Sequence, residues 1–324
     1  MDNEQTKRTA FTVDDTLCIG CGICVDACPM RILSLADGLC VLTDDLKCLE
    51  CGTCIHECPK RALSIEEGVF VQGSGKQSPG ITAKEKIHFT PVLEELNSLV
   101  QQVHPVQVYT CEGTDVSAFD TFTLENEPCY ARVYQTDRIE KIGMACMNFF
   151  GLMTANVLSI RPAPNYDIPM FIMDWDESEE HIFFICDLTP SDDPGRNVPY
   201  LTNYLYNPLE DLYQKYSTIP GLRNSVFHWV RATSSPYIIS GTIRKKFQKS
   251  VDMLLDCARD YLSAWLALSN TASPQDPASD YMKRVHERRK TVRTLLQEND
   301  PGMGPLNKFL GNEKARLVMS IVEP

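Results

Sequence analysis

Between residues 138 and 188 the apolar positions come in short runs, RIEKIGMACMNFF, GLMTANVLSI, IPMFIMDW and EHIFFICDL, either unbroken or alternating with polar residues. Runs of this length, rich in β-branched and aromatic side chains, predict strands. The connections between them are short. The longest, RPAPNYDIP, spans residues 161–169, so consecutive strands are predicted to pair antiparallel, because a parallel pair needs a long crossover. Upstream, TPVLEELNSLVQQV carries apolar residues at helical spacing. Residues 242–269 and 279–297 do the same downstream, split by a breaker containing Pro274 and Pro277. From about residue 89 onward the prediction is an antiparallel sheet covered by helices, an α+β sandwich.

The first 75 residues follow a different pattern. Cys18, Cys21, Cys24 and Cys28 before Pro29 recur thirty residues later as Cys48, Cys51, Cys54 and Cys58 before Pro59, so CIGCGICVDACPMRILSL and CLECGTCIHECPKRALSI are a duplication. Three cysteines at three-residue intervals let one tight loop present three thiolates to a cubane, while the fourth, beside Pro, ligates the other cluster. This assigns Cys18, Cys21, Cys24 and Cys58 to one [4Fe–4S] cluster and Cys48, Cys51, Cys54 and Cys28 to a second. Gly22 and Gly52 stand where the loop bends around the inorganic core. Paired C-x-x-C units also bind zinc, but eight cysteines in this duplicated order with both prolines disfavour that reading. Cys40, Cys111, Cys129, Cys146, Cys186 and Cys257 lack ligand spacing and read as packed thiols. The cysteine segment resembles bacterial two-cluster ferredoxins over residues 11–70.

Charge and composition narrow the classes. The 324 residues carry 31 Lys and Arg against 43 Asp and Glu, a net charge of −12, which speaks against a nucleic-acid partner. No run approaches the ~20 apolar residues of a spanning helix, and the polar start MDNEQTKRTA has no apolar signal core. A cytoplasmic protein without a membrane partner is expected. Nine of the fourteen cysteines fall within residues 18–58, a density that belongs to metal rather than to disulfides in a chain of this kind. Residues 11–70 hold ten acids and four bases and would present an acidic docking face. QGSGKQSPGITAKEK then reads as a linker. The expected division is 1–75 for a two-cluster ferredoxin domain, 76–88 for a linker and 89–324 for the second domain.

RPAPNYDIPMFIMDW with HIFFICDLTP, the terminal ENDPGMGPLNKFLGNEKARLVMSIVEP and the upstream LENEPCYARVYQTDRIEKIGMACM resemble the ferredoxin-dependent bilin reductases, over residues 90–324. That resemblance implies an α/β/α sandwich around a central antiparallel sheet. It also implies a biliverdin-type linear tetrapyrrole held between sheet and C-terminal helices, electrons delivered singly by a ferredoxin, and no flavin, nicotinamide or catalytic metal. Here the ferredoxin is expected to be fused to the reductase, leaving an upstream low-potential donor to reduce the clusters.

Three residues become candidate catalytic groups. Asp174 matches the family's central carboxylic acid. On a strand it shares a face with Met170 and Ile172, and an apolar surround raises a carboxyl pKa toward values useful for protonating a substrate. Asn156 falls where one branch of the family carries His and others Asn. If the 161–169 connection turns about Asn165, it stands opposite Asp174 and orients the pigment. Asp300 matches the family's second proton donor, although Asp before Pro301 and Gly302 is also ordinary turn chemistry. Ala145 stands where the phycocyanobilin-forming branch has Glu, which sets this chain apart from that branch. The basic stretch 281–293 is read first as a solvated face or an acidic-domain dock, and second as a propionate site. The eight acids from Asp174 to Asp193 are read mostly as solvation.

Three functions compete. The first is a fused bilin reductase. The second is a reductase of a chlorophyll-derived linear tetrapyrrole. The third is an iron–sulfur electron-transfer subunit whose C-terminal domain binds a partner.

Overall fold

A computed structural model of the chain describes residues 10–28, 30–45, 48–66, 87–224 and 227–324. Most of the predicted linker, 76–86, lies outside the described residues. The chain forms two compact units, one of residues 1–88 with 301–316, the other of residues 89–300 with 317–324.

In the first unit, β1 (Ala10–Val13) pairs with β4 (Leu63–Glu66), and β2 (Leu33–Ala36) with β3 (Leu39–Leu42), all antiparallel. Two five-residue helices, α1 (Ile23–Ala27) and α2 (Thr53–Glu57), start at Gly22 and Gly52, whose φ values of 75° and 70° are left-handed. Both glycines sit inside the cysteine motifs, where the chain must reverse within one residue. Arg31 and Arg61 share a φ of 53°, so the duplication is preserved in the backbone. Leu33, Cys40 and Leu63 make a small core with Cys24.

The second unit opens with α3 (Val92–Val100), the strand β5 (Val106–Val108), a tiny hairpin of β6 (Thr110–Cys111) and β7 (Thr114–Asp115), and β8 (Phe122–Leu124). Long strands follow: β9 (Glu127–Gln135), β10 (Ile139–Phe149), β11 (Met153–Pro162), β12 (Met170–Ser178) and β13 (His181–Thr189). Then come the short α4 (Val198–Tyr200), α5 (Asn207–Tyr216), the short α6 (His228–Thr233) and β14 (Ile239–Arg244). The chain ends with α7 (Gln248–Thr271), α8 (Asp280–Asn299), α9 (Met303–Leu310) and α10 (Asn312–Val322). An eight-stranded sheet runs in the order β14-β13-β12-β11-β10-β9-β5, with β8 also on β9, every pair antiparallel.

One face of this sheet is the main core. Leu158, Phe171, Met173, Trp175, Phe184 and Cys186 pack against Leu93 and Leu96 of α3, Leu209 of α5, and Leu254, Tyr261 and Trp265 of α7. Burying side chains of that size stabilises by about 1.5–3 kcal/mol each. The indole of Trp265 keeps its hydrogen bond, donating to the Pro169 carbonyl at 2.7 Å. The opposite face meets the C-terminal residues. A Cβ at Gly143 would come within 1.9 Å of the Ile321 carbonyl oxygen, so only glycine lets that backbone lie on the sheet. Lys141, buried in β10, donates to the Ser320 carbonyl.

Two expectations are corrected here. Residues 242–244 are not the start of a helix. They end β14, where Ile239 and Ile243 alternate into the core against β13, and the helix begins only at Gln248. Residues 301–316 leave the second unit and join the first. The cause is local packing: a Cβ at Gly304 would meet the Glu50 carbonyl oxygen at 2.4 Å, and Lys308 donates to the Cys48 carbonyl at 2.6 Å.

Candidate functional site

In the first unit, one cavity is lined by Cys18, Cys21, Cys24 and Cys58. These are the four thiols assigned to the first cluster, brought together because the Cys-Pro arm of the second repeat returns to the loop of the first. The other four also gather. Cys51 is pushed up to about 11, first by burial, then also by the charges of Cys28 and Cys48; Cys54 is raised by burial and by Cys51, Cys28 and Cys48. Four thiols that repel one another as anions are poised for a cation-rich core, and ligation deprotonates a thiol outright. Both groups therefore fit a cubane each. Cys40 is a buried, packed thiol of the small core, and it also lines the first cavity beside Cys24.

In the second unit, the pairing of β12 decides which residues face the candidate site. Cross-strand partners on an antiparallel sheet project to one side. One row reads Ala131, Ala145, Val157, Asp174, Ile185 and Ser240 across six strands. Asp174 is thus a carboxyl in a row of small and apolar side chains, on the face away from Trp175 and the main core. Ala145 stands in that row, two strands from Asp174.

Asn156 does not. Its partner is Trp175, and Asp174 is opposite Val157. The connection is centred half a residue later than expected, and a one-residue change of register turns a side chain to the other face. Asn156 is buried on the core side, where its Nδ2 donates to Thr154 Oγ1 at 3.2 Å and to the Trp175 carbonyl at 3.3 Å. Its amide is consumed by the sheet, so the expectation that it orients a pigment beside Asp174 is withdrawn.

The residue that does stand beside Asp174 is Asp176, two positions along β12 and on the same face. Both are half-buried. Asp174 is held well above the usual carboxylate range by burial, then by the charges of Asp176 and Asp300. Asp176 is pushed up to about 7, first by burial and then by Asp300, while its hydrogen bond with Asp174 works the other way. Of the two, Asp174 keeps its proton to the higher pH, so once Asp176 ionises the protonated Asp174 is the donor of that bond, and the two titrate as a pair. Asp300 completes the cluster from the C-terminal end of α8, where its N–H donates to the Leu296 carbonyl at 2.9 Å. Asp176 was missed in the sequence because it sits in an acidic run. Its spacing of two from Asp174 within a strand was the available signal.

Asp187 is a useful contrast. It lies two residues from Ile185 on this same face, buried, but it accepts hydrogen bonds from Ser235 N at 3.0 Å, Ser235 Oγ at 2.5 Å and Thr189 Oγ1 at 2.9 Å. Those donors tie it to the α6–β14 connection. The basic stretch 281–293 is likewise occupied. Arg289 is buried and donates to Ser191 Oγ and to the Tyr166 and Ile168 carbonyls. Arg288 donates to Pro190, and Arg293 pairs with Glu323 at 2.9 Å. These three arginines anchor α8 and the C-terminus and are not a solvated face, whereas Lys283, Arg284 and Lys290 of the same stretch are exposed, as a solvated face expects.

The eight-stranded antiparallel sheet flanked by helices, with a carboxylate cluster on one face and a duplicated cysteine motif on a separate unit, defines an iron–sulfur-linked oxidoreductase. The family of ferredoxin-dependent bilin reductases matches residues 94–322, and the chain belongs to that family. Two 4Fe-4S binding domains match residues 11–34 and 48–62. Among solved structures, phytochromobilin synthase from tomato in complex with biliverdin is similar at 18% identity, covering 70% of this chain and 78% of that one, with a TM-score of 0.59. A structure described as PcyX is similar at 13% identity, covering 70% and 93%, with a TM-score of 0.41. No curated protein matches the chain. No helix among the described residues is long and apolar enough to cross a membrane.

Proposed function

We propose that the chain reduces a biliverdin-type linear tetrapyrrole by successive proton-coupled single-electron transfers, with its own N-terminal unit as the immediate donor. Asp174 and Asp176, neighbours on one face of β12 with both carboxyls held above the usual range, are the observation that carries this reading. Each [4Fe–4S] cluster, when bound by the two cysteine quartets, supplies one electron at a time. Saturating one double bond takes two electrons and two protons, and the cluster of carboxyls is built to hold protons near neutral pH.

Asp174 gives the first proton. Its carboxylate is then recharged from Asp176, whose displaced pKa leaves it substantially protonated near pH 7. Asp300 serves a later proton or a different ring. The row of Ala145, Val157 and Ile185 supplies an apolar floor that excludes water around the reacting edge. Biliverdin is the substrate to test first, because the fold is shared with a tomato enzyme whose structure contains it.

The test uses the full chain, reduced anaerobically and freed of excess reductant, then mixed with biliverdin without added ferredoxin. The expected result is recovery of oxidised-cluster absorbance together with a shift of the bilin band. Clusters that stay reduced while bilin is bound and unchanged would overturn the proposal.

A further inference from the structure

The two cysteine repeats are equal in ligand spacing and unequal in what surrounds them. At the third residue of each motif the backbone is left-handed, with φ of 61° at Gly20 and 58° at Glu50. Glycine is required in the first repeat, since a Cβ there would meet the Gly38 carbonyl oxygen at 2.3 Å. The second repeat accepts a full glutamate side chain, although an L residue with positive φ is disfavoured.

What Glu50 meets is α9. Gly304 lets that helix touch the loop backbone, its missing Cβ being the gap that the Glu50 carbonyl fills. One turn later Lys308 reaches the same loop. Its Nζ donates to the carbonyl of Cys48 at 2.6 Å and stands 3.9 Å from Glu50 Oε1, with the two side chains only 8% and 7% exposed. The first cavity has a lysine too, Lys60, but that side chain is exposed. Water screens a charge at the surface, whereas a desolvated ammonium acts at a low effective dielectric.

We infer that Lys308 is a positioning residue for electrons: it makes the second cluster, held by Cys48, Cys51, Cys54 and Cys28, easier to reduce than the first. The inference rests on the iron–sulfur reading of the proposed function. An ammonium hydrogen-bonded to the peptide of one ligand stabilises the added negative charge, and hydrogen bonding and net charge around a cluster are recognised determinants of its potential. Glu50 opposes this in part. Its carboxylate, 3.9 Å from the ammonium, holds the lysine in place, and it is the lysine that hydrogen-bonds the carbonyl of a ligand residue. A singly reduced molecule therefore keeps its electron on the second cluster.

The experiment is an anaerobic potentiometric titration of the full chain, followed by electron paramagnetic resonance, in wild type and in Lys308→Met, Lys308→Arg and Glu50→Gln. Methionine keeps much of the apolar stem and removes the charge. It should make one of the two reductive waves harder to drive by about tenfold in the reduction equilibrium, which is about 59 mV for a one-electron couple, and leave the other wave unmoved. Arginine, which keeps the charge, should sit near wild type, and Glu50→Gln should move the same wave in the opposite direction. Iron content is measured on every sample. Unmoved waves in iron-replete Lys308→Met, or equal shifts of both, would overturn this inference alone. Protein lacking iron and acid-labile sulfide would overturn it together with the reading beneath it. If Lys308→Met fails to load iron, the decision falls to Glu50→Gln, where absence of an opposite shift counts against the inference.

Discussion

Replacing Asp176 by asparagine keeps the shape of the side chain and removes its charge and its proton. In the fold the Asp176 carboxyl is displaced from 3.8 to about 7, chiefly by burial and by Asp300. At ~1.4 kcal/mol per pH unit, that displacement penalises the ionised form by up to about 4 kcal/mol. The unfolded chain releases this proton near 3.8 and the folded chain only near 7. Between those values the native state binds more protons, so stability falls as pH rises and then levels off above about 7. Asp176→Asn should escape that loss. Chaotrope or thermal unfolding of wild type and variant should give similar stabilities near pH 4 and an advantage for the variant that grows up to about pH 7 and then stays constant.

Activity should move the other way. With the recharging proton gone, turnover of biliverdin should fall by about 10² or more, the lower part of what a positioned acid contributes. The decline of the wild-type rate as pH rises through about 7 should also vanish, because the group that loses its proton there is absent. Steady-state rates from pH 6 to 9 measure both effects. A variant that kept the wild-type pH profile would show that Asp176 holds no proton used in the reaction, whatever its effect on stability.

Asp174→Asn should lower turnover by about 10²–10⁴-fold while bilin binding, followed by the visible band, persists. Asn156→Ala should cost on the order of 1 kcal/mol in stability through the lost bonds to Thr154 and Trp175. Its turnover per folded molecule should be unchanged, and a large loss would restore it to the site. Cys58→Ala should leave about four irons of the eight that two cubanes hold, because Cys58 lines the same cavity as Cys18, Cys21 and Cys24; loss of all iron would mean that the two sites assemble only together.

How much of this was legible in the chain follows from the range over which each signal acts. The cysteine quartets are local patterns repeated once, and their cross-assignment needs only the return of each Cys-Pro arm to the other loop. The strands were legible because β10 to β13 alternate or run apolar over nine to eleven residues. Register was not, since it depends on half a residue in the loop 161–169. That difference sent Asn156 to the core and put Val157 opposite Asp174. The placement of α9 was also hidden: Gly304 and Lys308 are unremarkable in sequence and acquire meaning only against Cys48 and Glu50, some 250 residues earlier.

The distribution of buried cations in the second unit explains why its carboxyls can work as acids. An arginine beside Asp174 would pull its pKa down and leave nothing to donate. Instead the buried and half-buried cations are committed elsewhere: Arg161 pairs with Glu140 at 3.1 Å, Lys245 with the fully buried Glu177, and Arg293 with Glu323. Arg289 has no carboxylate partner among the described residues and spends its donors on Ser191 and two carbonyls. What acts on Asp174 after burial is negative, from Asp176 and Asp300. Burial and like charge push in one direction, and the fold holds a proton there because it has placed its cations where they secure strands, α8 and the C-terminus.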